Sequence, residues 1–433
     1  MEDHRSYPPE APRSEGPTFA DFARDHPGPG RPVDGDPVET SRGRVKQGWV
    51  ATPEPQFEPA PDAPGQAPFR PALTGTGLTF SVDRFARNLR QRLEGNCTGW
   101  AFVINVNGQE ARSDHDGTAI TPGDQDEDGD TIGKRDMTPD TRVNIASLSK
   151  TITAVAVLRL LRANNLGTAA PIWPFLPADW TLGPKLESLR FHHLLTHSSG
   201  LHGVLVNDVS DEGLRLTLAL GADPGAPYKY LNANFALFRV IIPALWNRAG
   251  LEAANNDHPV ASAFFYAVYI IEEMLKRMGD AVGADASTSI LEAVPARYYL
   301  NSGSALGLTF GNWALVSGGG GWHMTARELA AFLAHITYND DMLPPDLRAG
   351  MDQLRYGWRP PSFFPGSFGP YWGSGGYLKR DFDGRQGRLR TGIMKFSTQV
   401  EASLVANSFI AAGAGESDWP PEILRRAYDA AWQ

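Results

Sequence analysis

Apolar positions along the chain fall into regular runs separated by polar, glycine- and proline-rich stretches, and the spacing within each run predicts an element. In SVDRFARNLRQRLEGN, from Ser81, the residues Val82, Phe85, Leu89 and Leu93 recur at three- and four-residue intervals, which predicts a helix with one apolar face. GWAFVINVNGQEAR changes the period to two and carries Asn107-Gly108, a tight-turn dipeptide, so an antiparallel hairpin is expected. TITAVAVLRLLRANNLG returns to helical spacing, with Gly167 as its expected stop. Residues 185–300 read as mostly helical with long loops, ASAFFYAVYIIEEMLKRMG among them. Strand spacing comes back in WGSGGYLKRDFDGRQGRLRTGIMKF and VEASLVANS, and Glu422 to Trp432 predicts a closing helix. No stretch repeats another. This order predicts an α/β (α+β) protein, an antiparallel β-sheet flanked by helices and interrupted by an inserted all-helical lobe. The expected sheet lobe takes residues 76–145 and 305–433, and the expected helical lobe 146–304.

Residues 1–75 depart from these patterns. PGPGRPVDGDP and TPEPQFEPAPDAPGQAPFRPAL hold too little contiguous apolar material to build a core. An irregular extension is expected, either wrapping the folded body or mobile, and Phe19, Phe22, Trp49, Phe57 and Phe69 lean towards wrapping. Composition changes the picture little, with 42% apolar and 21% charged residues. The net charge of −9, with no basic cluster, argues against a nucleic-acid partner. No apolar run reaches the 18 residues of a membrane span. MEDHRSYPPEAPRSEG lacks the apolar segment of a secretory signal, so a cytoplasmic location is expected, although a mature secreted chain would look much the same. Cys97 is the only cysteine, which excludes an internal disulfide and a thiolate zinc site. No cofactor is expected.

The chemistry begins in NIASLSKTIT. Ser147 stands three residues ahead of Lys150 at a helix start, a spacing that brings both side chains to one face. Two readings fit. Ser147 is a nucleophile activated by Lys150, or Ser147 caps the helix and Lys150 lies in water. A lysine serves as a base only where burial or a neighbouring cation lowers its pKa. PYKYLNANFALF then sets Tyr230 two residues before Asn232, where a loop opens an apolar helix. A phenol can shuttle protons there and an amide can hold a lysine or a substrate carbonyl.

IASLSKTITAVAVLRLL, LRFHHLLTHSSGLHG, YKYLNANFALF and SGGGGWHMTARELAAFL occur in the order and at about the distances seen in the serine β-lactamase-like, penicillin-binding-protein-like superfamily. From about residue 80 to its end the chain resembles the branch holding class C β-lactamases, related serine esterases and acyltransferases, and D-aminopeptidases. The resemblance implies a β-lactamase-like fold and a covalent acyl-enzyme mechanism. It implies Ser147 as the acylated nucleophile and Lys150 as the lysine that deprotonates it or tunes its neighbours. Tyr230 would relay protons, and Asn232 would position Lys150 and the substrate. Two backbone N–H groups would form the oxyanion hole, one of them that of Ser147.

The family's third block, usually Lys-Thr-Gly or His-x-Gly, has two candidates here. One is Ser374-Gly375-Gly376 in YWGSGGYLK, with the N–H of Tyr377 as the oxyanion donor. The other is Arg390-Thr391-Gly392, although its segment also reads as the next strand pair. With Ser374 the site loses the cation that grips a substrate carboxylate, which favours neutral acyl esters over β-lactams and peptides. Lys379 or Arg390 would have to replace that cation. The expected partner is a small-molecule acyl substrate; the oligomeric state is left open. Acyl transfer to an alcohol or amine, and a non-catalytic binding protein on the same fold, remain alternatives.

Other candidates carry plainer readings. His192, His193, His197 and His202 are expected to be structural, His197 as the family's buried histidine, with metal binding the alternative. Asp124, Asp126, Asp128 and Asp130 imitate the first half of a calcium loop, but Arg135 stands where its bidentate glutamate belongs, so a solvated acidic hairpin tip is expected. SGGGG at 317–321 lacks the Lys-Ser/Thr of a phosphate loop and reads as tight packing. The aromatics of YGWRPPSFFPGSFGPYWG either wall an acyl pocket or anchor their loop.

Overall fold

The computed structural model describes residues 78–125, 130–203, 208–248, 258–279 and 295–433, so the extension expected over 1–75 lies outside the described residues. In chain order the elements begin with α1 (Val82–Leu93), the hairpin β1 (Gly99–Val106) and β2 (Gln109–Ile120), and the short strands β3 (Arg135–Asp136) and β4 (Val143–Asn144). A 3₁₀ turn, Ala146–Leu148, leads into α2 (Ser149–Ala163). Then come α3 (Phe191–Leu195), α4 (Asp211–Leu220), α5 (Asn232–Ala236), α6 (Phe238–Arg248) and α7 (Pro259–Glu273). The last part holds β5 (His323–Met324), α8 (Ala326–Tyr338), α9 (Pro345–Leu354), β6 (Tyr371–Phe382), β7 (Arg385–Phe396), β8 (Val400–Ala406) and α10 (Pro420–Asp429).

The described residues group into two compact units. One comprises 78–151, 295–311 and 322–433 together with 278–279; the other comprises described residues within 152–277 and 312–321. The first contains a six-stranded antiparallel sheet in the order β3-β2-β1-β8-β7-β6. The second is predominantly helical. This grouping moves Ser147 and Lys150 from the helical lobe, where the expected boundary at 146 put them, into the sheet unit. The reason is local, since the 3₁₀ turn is bonded to residues of that unit (below).

In the sheet unit the period-two alternation serves two covered faces. Trp100, Phe102, Ile104 and Val106 of β1 join Phe85 and Leu89 of α1 and Leu424 and Tyr428 of α10 in one apolar cluster. On the other face Asn105 donates to the Ala330 carbonyl and Ser403 to the Ala326 carbonyl, both on α8. Every residue of β1 and β8 is therefore buried. Local signals agree with this packing. Ser81 caps α1 by accepting from Arg84 N–H, and Thr325 and Glu328 form a capping box on α8. Asn107 and Gly108 both take positive φ, as a two-residue hairpin turn requires.

Two expectations are corrected. Asn165, not Gly167, ends α2. It takes φ +54°, and the bonds from Asn165 N–H to Arg162 O and from Leu166 N–H to Leu161 O close a Schellman motif before Gly167 is reached. Asp124 is no part of a solvated tip. It is buried and accepts from Thr121 N–H and Oγ1, Tyr299 Oη and Gly307 N–H, which stitches the end of β2 to the segment around 299–307. Residues 126–129 lie outside the described residues.

A buried carboxyl on β8 gives the sheet unit a pH-dependent term. Glu401 accepts from Tyr338 Oη at 2.6 Å, and burial pushes its pKa up to about 7, against the pull of the Tyr338 bond and the Lys395 charge. Lys395 is itself paired with Asp352 at 2.5 Å. A carboxyl whose pKa is raised by folding stabilises the fold fully at pH below its ordinary range, and that contribution is lost as pH rises towards 7. Glu401→Gln is therefore expected to be more stable than wild type at pH 8, by about 1–3 kcal/mol, with the advantage shrinking towards pH 5. Urea denaturation at both pH values measures it; a difference independent of pH rules the account out.

Candidate active site

Ser147 lies in the 3₁₀ turn between β4 and α2, and its neighbours constrain that turn from several sides. Asn144 Oδ1 accepts from Ala146 N–H at 2.8 Å, and Asn144 N–H donates to Tyr298 Oη at 2.7 Å. Ile145 donates to Trp322 O at 2.8 Å, and its carbonyl accepts from Thr391 Oγ1 at 3.0 Å. Ser149 Oγ donates to Ala146 O at 2.7 Å. Held in this way, Ala146 takes φ +50°, a left-handed conformation that costs energy in a residue with a Cβ. The sharp reversal leaves Ser147 half-buried at the turn's apex, while Lys150 one turn on is 3% exposed. Lys150 Nζ donates to Ser147 Oγ at 3.1 Å. Of the two sequence readings, the lysine in water is excluded by this burial.

Strand β6 lies directly over the turn. A Cβ built on Gly376 would stand 2.6 Å from Ile145 O, 2.8 Å from Ala146 Cβ and 2.3 Å from Thr391 Oγ1, so only glycine permits this approach. Gly373 O accepts from Arg359 N–H, which identifies the edge of β6 away from β7. By strand alternation the backbone N–H groups of Gly375 and Tyr377 point to that same outer edge. Ser374 is 5% exposed and shares the Gly376 face, the one against the turn.

The two candidates for the third block are cross-strand neighbours, with Gly376 opposite Thr391 and Tyr377 opposite Arg390. Their side chains do different things. Thr391 faces the turn and anchors it. Arg390 points to the α10 face, where it pairs with Asp418 at 2.6 Å and lies 4.0 Å over the Tyr377 ring. Gly375 and Gly392 on that face pack against Trp419, Pro420 and Pro421. Lys379 shares this alternation with Tyr377. Neither cation thus stands on the Ser147 face of the sheet. The aromatics before and at the start of β6 anchor this segment: Phe364 stacks on Trp419 at 5.2 Å, Trp372 donates to Asp352 O, and Tyr371 donates to Asp429.

In the helical unit Tyr230 and Asn232 flank Leu231, the N-cap of α5, and both are half-buried. His197 sits behind them, buried, with φ +55°. Gly318 of the SGGGG stretch packs on the α5 backbone, a Cβ there falling 2.7 Å from Phe235 O. Buried Arg239 donates to Ser317 O and Val209 O, and Thr153 Oγ1 donates to Gly318 O at 2.7 Å. The expected tight-packing role of SGGGG is what these contacts describe. His192 lies at the Thr168 carbonyl, His193 accepts from Arg190 N–H, and His202 pairs with Asp223. Burial and the neighbouring His192 and Arg190 push His193 down to about 4. Among the described residues no three His, Cys, Asp or Glu side chains gather as a metal would need.

Sequence reasoning missed Asn144, Tyr298 and Trp322 as supports of the turn. Asn144 carried a signal, a short amide two residues before a strained position. The other two join the turn only through the fold.

The model of the family described as Beta-lactamase matches residues 85–392, and the chain belongs to that family. Over 94 residues it is 37% identical to the esterase EstB of Burkholderia gladioli, a match covering 21% of this chain and 23% of that esterase. The aligned stretch thus spans about a quarter of the curated relative's length. Among solved structures, the octameric penicillin-binding protein homologue from Pyrococcus abyssi superposes with a TM-score of 0.56 at 18% identity, covering 81% of this chain and 76% of the other. EstCE1, a hydrolase with promiscuous acyltransferase activity, gives 0.55 at 15% identity, covering 81% and 98%. These two are likenesses of fold. Among the described residues no helix is long and apolar enough to cross a membrane.

The close approach at Gly376 makes a direct expectation. Gly376→Ala forces β6 off the turn, lowering stability by about 1–3 kcal/mol and slowing fluorophosphonate labelling of Ser147. Thermal melts and intact-mass kinetics read both effects. Unchanged labelling and an unchanged melting temperature would show that the strand tolerates the methyl group.

Proposed function

We propose that the protein is a serine hydrolase that cleaves small esters or amides through a covalent acyl-enzyme on Ser147. The observation that carries this reading is the Lys150 Nζ–Ser147 Oγ bond of 3.1 Å, made by a lysine almost wholly removed from water beneath a residue in a strained conformation. A buried lysine beside a half-exposed hydroxyl, in a turn whose shape costs energy, is expensive for a structural role and suited to activating an oxygen.

In this reading Ser147 Oγ attacks the carbonyl carbon while its proton passes to Lys150 Nζ. The developing oxyanion is met by the backbone N–H groups of Ser147 and Tyr377, the second supported by its orientation at the outer edge of β6. Collapse of the tetrahedral species breaks the bond to the leaving alcohol or amine, which departs with a proton. Water then attacks the acyl-enzyme, giving up its proton and returning Ser147. On the family pattern Tyr230 carries the proton to the leaving group and takes one from the water, and Asn232 is a substrate-binding amide. Ser374, Gly375 and Gly376 form the substrate-facing edge. With Ser374 in place of a basic residue, and with Arg390 held by Asp418 on the opposite face, neutral esters are the favoured class. The esterase relative in the family agrees with that choice. An alcohol or amine in place of water would turn the same steps into acyl transfer.

The test is intact-protein mass spectrometry after exposure to a p-nitrophenyl ester and to a fluorophosphonate, with Ser147→Ala alongside. The expected result is an adduct of one acyl or phosphonyl group on the wild type and none on the variant. Lys150→Ala is expected to slow labelling about 100-fold or more. A folded wild type that forms no adduct overturns the proposal and leaves a binding protein on this fold.

A further inference from the structure

His197 is buried between residues 228 and 235 of the helical unit, and its carbonyl and ring nitrogen Nδ1 both meet the Tyr230–Asn232 loop. Its carbonyl accepts from Lys229 N–H at 2.9 Å. Its Nδ1 accepts from Leu231 N–H at 3.2 Å, the amide lying between Tyr230 and Asn232. The Asn234 amide nitrogen lies 3.0 Å from the same Nδ1. A backbone N–H can only donate, so Nδ1 carries no proton and the neutral ring bears its hydrogen on Nε2. The imidazole lies against the Tyr230 ring, centroids 4.5 Å apart and planes 36° apart, with Phe235 at 5.2 Å and Tyr228 at 5.8 Å closing the cage. The backbone of His197 is left-handed, at φ +55°, which a β-carbon-bearing residue adopts only where its surroundings repay the strain.

We infer that His197 is a positioning residue for Tyr230: its neutral Nδ1 holds the Leu231 peptide, and its ring fixes the orientation of the phenol. The inference rests on the proposed proton-relay role of Tyr230. A purely structural histidine needs a partner somewhere in the core. This one spends its acceptor on the peptide joining the two side chains of the Tyr-x-Asn pair, and its ring on the first of them.

Three variants separate the contributions. Asn Oδ1 occupies nearly the place of His Nδ1, and asparagine tolerates positive φ, so His197→Asn keeps the acceptor and the backbone. His197→Gly removes the acceptor while relieving the backbone, and His197→Ala removes the acceptor and keeps the strain. The readouts are steady-state kinetics on p-nitrophenyl butyrate and the rate of fluorophosphonate labelling at Ser147, with folding checked by circular dichroism. The expected result is kcat lowered about 10-fold or more in His197→Gly and His197→Ala, only partly restored in His197→Asn, which keeps the acceptor but loses the ring against Tyr230, and KM and labelling little changed in all three. In the double variant with Tyr230→Phe, kcat is expected to fall no further than in Tyr230→Phe alone, because both changes remove one function. A folded His197→Gly with wild-type kcat beside a crippled Tyr230→Phe overturns this inference alone, as do losses that multiply in the double variant. A folded Tyr230→Phe with wild-type turnover overturns the proton-relay reading itself, and the role of His197 with it.

Discussion

The seating of β6 on the turn that carries Ser147 is the constraint on which the candidate site of the sheet unit depends. Thr391 on β7 bonds the Ile145 carbonyl, and Gly376 on β6 leaves no side chain between strand and turn. Any larger residue at 376 would lift the strand, and with it the outward N–H of Tyr377. The turn is fixed from its other side by Asn144, Tyr298 and Trp322, so that Ala146 can be held in a conformation it would not choose alone. Strain at one residue is thus balanced by a ring of hydrogen bonds from four separate stretches of chain.

The same economy explains the cations. A strand pair with Arg390, Lys379 and Lys395 within a few residues of Ser374 looks from its composition like an anion-binding edge. Pleating separates them: Arg390 falls on the α10 face and is neutralised by Asp418, while Lys395 is paired with Asp352. In each pair the cation is buried and its carboxylate partner lies nearer the surface, so the charge is neutralised locally. What is left beside the turn on β6 is the Ser374 hydroxyl and Gly376.

In the helical unit the loop carrying Tyr230 and Asn232 is supported in a comparable way. His197 holds the peptide between Tyr230 and Asn232, and Gly318, Ser317, Arg239 and Thr153 pack the helix behind it. Two of the non-glycine residues with positive φ, Ala146 and His197, are next to or behind the side chains of interest.

The sequence by itself determined the elements and offered the candidate side chains. Period-two and three-to-four spacing located α1, the β1–β2 hairpin, α2 and the β6–β7–β8 ladder, because the apolar residues of each recur at the period of its backbone. Short-range spacing also paired Ser147 with Lys150 and Tyr230 with Asn232, since these pairs are local and the helix or loop alone brings them near one another. It misread Gly167 and Asp124, where a Schellman closure at Asn165 and a buried contact to Tyr299 and Gly307 depended on neighbours that composition does not reveal. Only the tertiary structure decided that Lys150 is buried rather than solvated, that the S-x-x-K turn belongs with the sheet, and that Arg390 and Ser374 face opposite ways. Those are questions of which face a strand presents and what covers it, and they are settled by contacts between residues more than 200 positions apart, such as Thr391 with Ile145.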